Sequence, residues 1–265
     1  MTLLAAAVSG RGLVDPAEPV FAADDEALLR GSAAFETLPV YAGRPFQLGP
    51  HVARLRFSAE RLGLPAVDGV EELAALVAGA VPDCVLRLYR TERTLLATGA
   101  AMPDDLDAVR RAGLAIRTIE IGNPTALLAG VKSTSYAFAF TARREVAALG
   151  ADDVLFTGDG LVLEAATANV WWRAGNVLFT PATGAGVLPG VTREVVRGLA
   201  GELGYAVREG AFPLAELTGA DEAFETSSIR EVVAVVSVDG VPVHDGRPGP
   251  AAARLQEALR VRSRP

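Results

Sequence analysis

Short stretches of alternating apolar and polar residues recur along the chain and predict β-strands. In the first half of the sequence they cover residues 35–41, 84–91, 93–98 and 114–121, with a shorter strand at 46–48. Residues 51–62 and 71–80 instead place apolar side chains three and four positions apart, which predicts two amphipathic helices. A more polar helix is predicted over residues 103–111.

The second half follows a break, Gly122-Asn123-Pro124-Thr125, which predicts a connecting loop over residues 121–130. Its predicted helices cover residues 136–149, 192–203 and 250–261, and its predicted strands cover 154–157, 161–165, 169–173, 177–180, 223–227 and 232–238. Glycine-bearing turns such as Gly158-Asp159-Gly160 join neighbouring strands into hairpins. We therefore expect an α+β chain with strand-rich domains at residues 1–120 and 131–265.

Composition narrows the class of protein. A net charge of −7 disfavours a surface for nucleic acid or for an anionic membrane. The chain has one cysteine and two histidines, too few to favour a metal cluster or a Ser-His-Asp site, so we expect no metal. No apolar run reaches the length of a membrane span, and the N-terminus lacks the basic region of a signal peptide. We expect a soluble cytoplasmic protein that acts on small molecules.

Lys132 is the only lysine among 25 basic residues, and all the others are arginine. Arginine supplies charge and hydrogen bonds, but it stays protonated in proteins and cannot act as a free amine. Lysine can form a Schiff base with a carbonyl group. A sole lysine therefore indicates a nucleophilic amine, although a chance surface lysine is an equal alternative on composition alone.

A Schiff-base lysine needs an aldehyde partner, and pyridoxal phosphate is the usual one. Its phosphate requires hydrogen-bond donors. Residues 188–194 place a glycine at the start of a predicted helix, where free N–H groups and the Thr192 hydroxyl suit a phosphate, although Thr192 is also a good ordinary N-cap. Thr226, Ser227 and Ser228 are further candidate donors, with a plain turn as the alternative. Arg54 is another candidate donor, with a solvated arginine as the alternative.

The pyridine nitrogen of this cofactor needs an acid that keeps it protonated, and its phenolic oxygen needs a donor. Glu164 lies among apolar and small residues, where a carboxylate is costly unless it is paired. A strand-edge glutamate that faces water is the alternative. Tyr136 follows Lys132 by four residues, which would place both on one face if a helix has begun there. A core tyrosine is the alternative.

Several motifs combine these candidates in a fixed order. They are Phe35-Glu36-Thr37-Leu38, Gly43-Arg44-Pro45-Phe46, His51-Val52-Ala53-Arg54-Leu55, Lys132-Ser133-Thr134-Ser135-Tyr136, Gly150-Ala151-Asp152-Asp153, Glu164-Ala165-Ala166-Thr167-Ala168-Asn169-Val170, Gly186-Val187-Leu188-Pro189-Gly190-Val191-Thr192-Arg193 and Val238-Asp239-Gly240. Their order and spacing resemble the class IV (fold type IV) pyridoxal-phosphate-dependent aminotransferases, a family that includes D-amino-acid and branched-chain transaminases and 4-amino-4-deoxychorismate lyase. The resemblance implies a small N-terminal α/β domain, an interdomain loop at residues 121–130, a larger C-terminal β-barrel-like domain that binds the cofactor, and a homodimer.

The resemblance also implies roles. Lys132 would form the Schiff base with pyridoxal phosphate and move the substrate proton, Glu164 would pair with the pyridine nitrogen, and Tyr136 would reach the phenolic oxygen. Asn169 would support the ring. The phosphate would be held by Arg54, Val191, Thr192 and either Ser227 or Ser228.

The substrate would lie near Phe35, with its carboxylate bound by one of three arginines: Arg30, Arg87 or Arg90. Arg87 matches a substrate arginine of branched-chain transaminases. Arg90 lies near that of D-amino-acid transaminases, although Thr91 stands where that subgroup has glycine. Arg30 could serve a neighbouring subunit. We expect amino-group transfer between an amino acid, with D-amino acids favoured, and a 2-oxo acid. The lyase, a branched-chain transaminase and a cofactor-binding protein without turnover are the alternatives.

Overall fold

The computed structural model describes residues 2–122 and 128–264. Asn123, Pro124 and Thr125 of the predicted break lie outside these described residues. The chain divides into two compact units. The first unit contains Met1–Asp104, Val131–Tyr136 and Ser263–Pro265, and the second contains Asp105–Gly130 and Ala137–Arg262.

These units differ from the expected domain ranges at residues 105–120, 131–136 and 263–265, and strand pairing accounts for the first two differences. Residues 114–120 belong to the second unit, because they pair in parallel with strands at 153–158 and 231–238. The segment that carries Lys132 belongs to the first unit, because its backbone bonds with residues 33–35. Both differences arise from pairing between distant residues, which the local pattern of apolar positions does not reveal.

The first unit is built on a six-stranded antiparallel sheet with two helices on one face. Its strands are β1 (Leu3–Val8), β2 (Gly12–Val14), β3 (Ala34–Tyr41), β4 (Arg44–Pro45), β5 (Cys84–Arg90) and β6 (Leu95–Ala100), in the order β2-β1-β6-β5-β3-β4. Its helices are α1 (Glu26–Arg30), α2 (Leu48–Arg61) and α3 (Val70–Ala80). The strand predicted at 46–48 is wrong, because Gln47 is already the N-cap of α2.

The pairing of β3 with β5 decides which side chains share a face of this sheet. Phe35 lies opposite Tyr89, and Glu36 lies opposite Leu88. Because successive side chains of a strand point to opposite faces, Glu36, Leu38 and Leu88 lie on one face and Phe35 and Tyr89 on the other. The face of Leu38 and Leu88 packs under α2 and α3 and forms the main core of the first unit.

The second unit is built on a nine-stranded mixed sheet. Its strands are β7 (Leu114–Glu120), β8 (Asp153–Gly158), β9 (Leu161–Ala165), β10 (Asn169–Ala174), β11 (Val177–Pro181), β12 (Ala206–Gly210), β13 (Glu222–Ser227), β14 (Glu231–Val238) and β15 (Val241–Pro242). Its helices are α4 (Leu106–Ala112), α5 (Ala137–Ala147), α6 (Val191–Glu202), α7 (Leu214–Thr218) and α8 (Pro250–Ser263). The strand order is β12-β11-β10-β13-β14-β7-β8-β9, with β15 beside β14.

This sheet curls back on itself. The N–H of Ala165 at the end of β9 donates to the carbonyl of Ala168 just before β10, at 2.9 Å, so the last strand of the order turns towards its middle. Apolar side chains from six strands fill the enclosed face, among them Ile116, Leu155 and Trp172. The predicted β8–β9 hairpin has Asp159 and Gly160 at positive φ, 52° and 76°, as a tight hairpin turn requires. Within residues 2–122 and 128–264, no helix has both the length and the apolar composition needed to cross a membrane.

Candidate active site

The segment that carries Lys132 lies beside the start of β3 and bonds with its backbone. The Phe35 N–H donates to the Lys132 carbonyl at 3.1 Å, and Ala34 and Ser133 form a β-bridge. On the other side, the Lys132 N–H donates to the hydroxyl of Ser58, a buried residue of α2, at 3.0 Å. The backbone of Lys132 is therefore fixed from two directions, which limits the volume its side chain can reach.

Lys132 Nζ lies 3.1 Å from the Tyr136 hydroxyl and 4.5 Å from the centre of the Phe35 ring. The two rings meet edge to face at 5.4 Å. The reason predicted for the Lys132–Tyr136 pairing is wrong, because α5 begins only at Ala137. A tight turn, in which the Tyr136 N–H donates to the Thr134 carbonyl at 2.7 Å, brings the phenol back to the amine instead.

Arg54 lies on α2 and forms a two-point ion pair with Glu36 of β3. Its Nε donates to Glu36 Oε1 at 2.8 Å, and its Nη2 donates to Oε2 at 2.7 Å. His51, one turn earlier on the helix, places Nδ1 2.7 Å from the same Oε2. Burial lowers the pKa of His51, so the neutral ring donates its Nδ1–H to the carboxylate. Burial alone would raise the pKa of Glu36, but these hydrogen bonds and charges lower it to about 2.

The opposite face of the same sheet carries the candidate substrate residues. Phe35 stacks on Tyr89 with ring centres 6.1 Å apart. Burial raises the pKa of Tyr89, while hydrogen bonds from Arg87 and Thr98 oppose that shift. Arg87 therefore lies beside Tyr89 on the face of Phe35, as the alternation of β5 predicts.

The other two candidate arginines lie elsewhere. Arg90 points to the helix-covered face, where its Nε donates to the Pro65 carbonyl at 3.0 Å. Arg30 ends α1 and pairs with Glu26, and its side chain is 68% exposed. The structure thus places Arg87 with Phe35 and separates it from Arg90.

In the second unit, Glu164 and Asn169 form one polar cluster with the loop before α6. Asn169 Nδ2 donates to Glu164 Oε2 at 3.3 Å and to the Leu188 carbonyl at 2.9 Å. The Leu188 N–H also donates to Glu164 Oε2, at 3.1 Å. Two donors therefore orient this carboxylate, and the alternative of a solvated strand-edge glutamate does not describe it.

Gly190 closes this cluster against the start of α6. A Cβ at Gly190 would lie 2.0 Å from Asn169 Oδ1, so a larger residue would displace the asparagine. Gly190 is also the N-cap of α6, and Val191 and Thr192 occupy the first turn. The alternative of Thr192 as the N-cap is therefore wrong. Its hydroxyl and the first N–H groups of α6 belong to the kind of helix start that binds anions.

Ser227 and Ser228 lie at the tight turn between β13 and β14. Arg110 of α4 donates to the carbonyls of Ile229 and Arg230 in this turn, at 3.1 and 3.0 Å. Glu231, the first residue of β14, has φ of 62°, a left-handed conformation that is uncommon outside glycine. The turn that carries both hydroxyls is therefore held in one defined backbone path.

The structure brings Lys132, Tyr136 and Phe35 together in the first unit, and Glu164 and Asn169 together in the second. Glu36 and His51 were given no role from the sequence. Glu36 has the same parity along β3 as Leu38, which places it on the core face, and His51 precedes Arg54 by one helical turn. The sequence feature that could have identified Glu36 is a carboxylate at an inward-facing position of a predicted strand.

These donors fit pyridoxal phosphate on chemical grounds. A half-buried amine beside a phenol suits its aldehyde and phenolic oxygen, and a carboxylate oriented by two N–H groups suits its pyridine nitrogen. An uncapped helix start with a hydroxyl in its first turn suits its phosphate. The two units thus contain an α+β scaffold and a set of side chains typical of a fold type IV pyridoxal-phosphate enzyme.

Comparison with known proteins identifies the family. The model of the amino-transferase class IV family matches residues 33–238. A putative branched-chain-amino-acid aminotransferase of Methanocaldococcus jannaschii is 28% identical and covers 93% of this chain and 92% of its own length. A D-alanine aminotransferase of Bacillus licheniformis is 27% identical, covering 93% of both chains, and an aminodeoxychorismate lyase of Bacillus subtilis is 26% identical, covering 94% and 91%.

Among solved structures, a hypothetical aminotransferase from Mycobacterium tuberculosis in its pyridoxal-phosphate-bound form is 28% identical, covers 98% of each chain and has a TM-score of 0.88. The chain belongs to the class IV aminotransferase family. It is a pyridoxal-phosphate-dependent enzyme of fold type IV, and the family, fold class and cofactor expected from the sequence are confirmed.

Proposed function

We propose that this enzyme transfers an amino group between an amino acid and a 2-oxo acid, with Lys132 as the group that moves the substrate proton. The position of Lys132 Nζ, 3.1 Å from the Tyr136 hydroxyl and over the Phe35 ring, carries the proposal. The phenol orients the amine, and the two rings limit the access of water to it. An amine held in this way can remove and return a proton at one fixed position.

Pyridoxal phosphate, when bound, supplies an electron sink for the charge left at the substrate Cα. Lys132 would accept the Cα proton and deliver it again. Glu164 would hold the proton on the pyridine nitrogen, and the two N–H donors on its Oε2 would keep it in place. Tyr136 would donate to the phenolic oxygen. Asn169 would support the ring by linking Glu164 to the loop before α6.

The proposed phosphate ligands are hydrogen-bond donors: Arg54, the backbone of Val191 and Thr192, the Thr192 hydroxyl, and Ser227 or Ser228. The helix start at Val191 supports the backbone donors, because the first N–H groups of a helix have no partner within it. The fixed turn after β13 supports the serine hydroxyls.

We propose Arg87 as the ligand of a substrate carboxylate. It lies on the face of Phe35, and Lys132 Nζ lies over that ring. Arg90 is directed to the Pro65 carbonyl on the opposite face, and Arg30 is directed to Glu26. A guanidinium presents a planar pair of donors that matches a carboxylate.

The expected donor is a D-amino acid, which agrees with the relative that is named a D-alanine aminotransferase. Arg90 does not support this expectation, because it lies on the other face from Phe35. A branched-chain L-amino acid is the second candidate, because Arg87 matches the branched-chain arginine and the relative from M. jannaschii carries that name. The lyase reaction is the third, in line with the relative from B. subtilis.

A panel of amino donors distinguishes these activities. The purified enzyme is mixed with D- and L-alanine, glutamate and leucine in the presence of pyruvate or 2-oxoglutarate, and separately with aminodeoxychorismate. We expect new amino and 2-oxo acids with at least one donor and acceptor pair, at a rate higher for the D-isomer. Release of pyruvate and 4-aminobenzoate without amino transfer would replace transamination by the lyase reaction.

Lys132→Arg, which keeps the charge, should abolish turnover, and full activity in that variant would refute the proposal.

We also propose that the enzyme is a homodimer. None of the residues of α1 is buried, and its Leu28 and Leu29 side chains are 68% and 56% exposed. Exposed apolar side chains on adjacent positions are typical of a contact surface. Arg30 ends this helix and would then approach the second subunit. Light scattering during size-exclusion chromatography should give twice the chain mass, and Leu28→Glu should lower it.

A further inference from the structure

Glu36 has no part in the proposed chemistry, yet it is a fully buried carboxylate beside the candidate site. It lies on the core face of β3 between leucines, where an apolar side chain would satisfy the packing. A buried carboxylate is costly unless donors surround it, so its benefit must lie in the groups it binds. Those groups are Arg54, at 2.7 and 2.8 Å, and His51, at 2.7 Å.

The geometry of this pair fixes the direction of the Arg54 guanidinium. Two parallel N–H bonds from Nε and Nη2 to the two carboxylate oxygens hold the planar group in one orientation. His51 donates to Glu36 Oε2 from the side, so the carboxylate itself cannot rotate without losing a bond. Arg54 is thus oriented by groups of the protein itself.

We propose that Glu36 is a positioning residue that, with His51, holds Arg54 in the orientation in which it binds the cofactor phosphate. The inference rests on the proposed function, in which Arg54 is a phosphate ligand. Preorganisation of this kind lowers the loss of side-chain freedom on binding, because arginine has many rotamers to lose.

A glutamine at position 36 tests the role because it keeps the shape of the side chain. Both oxygens of Glu36 accept hydrogen bonds, Oε1 from Arg54 and Oε2 from Arg54 and His51. The amide NH2 group of glutamine would therefore meet an N–H donor on either side. One of the two bonds that orient Arg54 must be lost, and the guanidinium must turn.

The experiment compares two probes on protein freed of cofactor: pyridoxal phosphate, and pyridoxal, which lacks the phosphate. Each dissociation constant is measured by fluorescence titration, and the ratio of the two reports the phosphate contribution. Glu36→Gln should lower the preference for pyridoxal phosphate by about 10- to 100-fold, the scale of one or two charge-assisted hydrogen bonds, and leave pyridoxal binding nearly unchanged. Glu36→Asp should be intermediate.

Glu222→Gln is the matched control. Glu222 is also a buried glutamate that pairs with an arginine, Arg173, and it accepts from the N–H groups of Ala251 and Ala252 instead of touching a candidate site residue. Glu222→Gln should lower the thermal stability and leave the preference for pyridoxal phosphate unchanged. An equal loss of preference in both variants would show a general structural effect and overturn the inference.

Arg54→Met separates this inference from the proposed function. If Arg54→Met keeps the full preference for pyridoxal phosphate, the phosphate role of Arg54 fails, and the inference fails with it. If Arg54→Met loses the preference and Glu36→Gln keeps it, only the inference is overturned. The double variant Glu36→Gln/Arg54→Met removes both charges, which secures a folded sample, and its preference should equal that of Arg54→Met alone.

Discussion

Glu36 in the first unit and Glu225 in the second are both buried, with side chains 0% and 2% exposed, but their pKa values move in opposite directions. The pKa of Glu36 falls to about 2, because three N–H donors from Arg54 and His51 outweigh the effect of burial. Burial raises the pKa of Glu225 to about 8, and the charge of Arg230 does not offset it. Burial alone therefore does not set the charge state of a carboxylate.

The difference lies in how the cation is shared. Arg230 Nη2 donates to Glu225 Oε2 at 3.1 Å and to Asp153 Oδ2 at 2.6 Å, so two buried carboxylates share one guanidinium. Among the described residues, Glu225 Oε1 has no hydrogen-bond partner. Like charges that share a site disfavour the ionisation of one of them. Glu36 receives a bond from Arg54 on each of its two oxygens, and the neighbouring histidine adds a donor instead of a competing charge.

Removal of the arginine from each cluster should give the largest effect. Arg54→Met leaves Glu36 as a buried carboxylate with a single donor, and we expect a loss of about 3–5 kcal/mol in the free energy of unfolding. Arg230→Met should lose less, because Glu225 can stay protonated and Asp153 keeps Arg143, whose Nε is 3.2 Å away. Urea denaturation at pH 7 measures both. A larger loss for Arg230→Met would reverse the comparison.

Glu225→Gln should have a smaller effect of the opposite sign. A folded-state pKa of about 8, above the ordinary 4.5, means that the stabilising contribution of Glu225 is complete below pH 4.5 and is lost as the pH rises towards 8. Glutamine resembles the protonated acid at every pH, so the variant should be more stable than the native chain at pH 9 and almost equal to it in stability at pH 4. Denaturation at several pH values measures the gain. A variant that is less stable at pH 9 would mean that Glu225 is ionised and well paired.

The sequence predicted the strands and hairpins well, because alternation and turn residues act locally. The turns at Asp159-Gly160 and Asp239-Gly240 both have two residues at positive φ, which aspartate and glycine tolerate. Lys132 stood out through composition, and its pairing with Tyr136 was expected for a reason that proved wrong. The path of residues 131–136 along β3 depends on pairing with a strand a hundred residues earlier, which no local pattern encodes.

For the two buried glutamates, the sequence alone does not predict the direction of the pKa shift. Glu36 and Glu225 stand in similar apolar strands, and both precede a threonine and follow a phenylalanine in Phe35-Glu36-Thr37 and Phe224-Glu225-Thr226. The partners of Glu36 are His51 and Arg54, which lie on a helix 15 and 18 residues further along the chain. Glu225 is paired with Arg230 of the following turn, which also binds Asp153 of a distant strand. The same three-residue pattern therefore carries opposite pKa shifts, and only the tertiary partners decide between them.

Glu26 completes the comparison with an exposed glutamate–arginine pair, and it should show the smallest effect. It lies four residues before Arg30 on α1, and the two side chains are 41% and 68% exposed. Water screens such a pair, and holding two long side chains together reduces their freedom, so Glu26→Gln should change the free energy of unfolding by no more than about 0.5 kcal/mol. The same urea titration measures it beside Arg54→Met. A loss near that of Arg54→Met would mean that Glu26 is buried in the functional assembly, which would itself support a subunit contact at α1. A negligible change would show that a glutamate–arginine pair does not by itself give a large effect. The loss of stability in Arg54→Met would then come from the buried setting and the partners of Glu36.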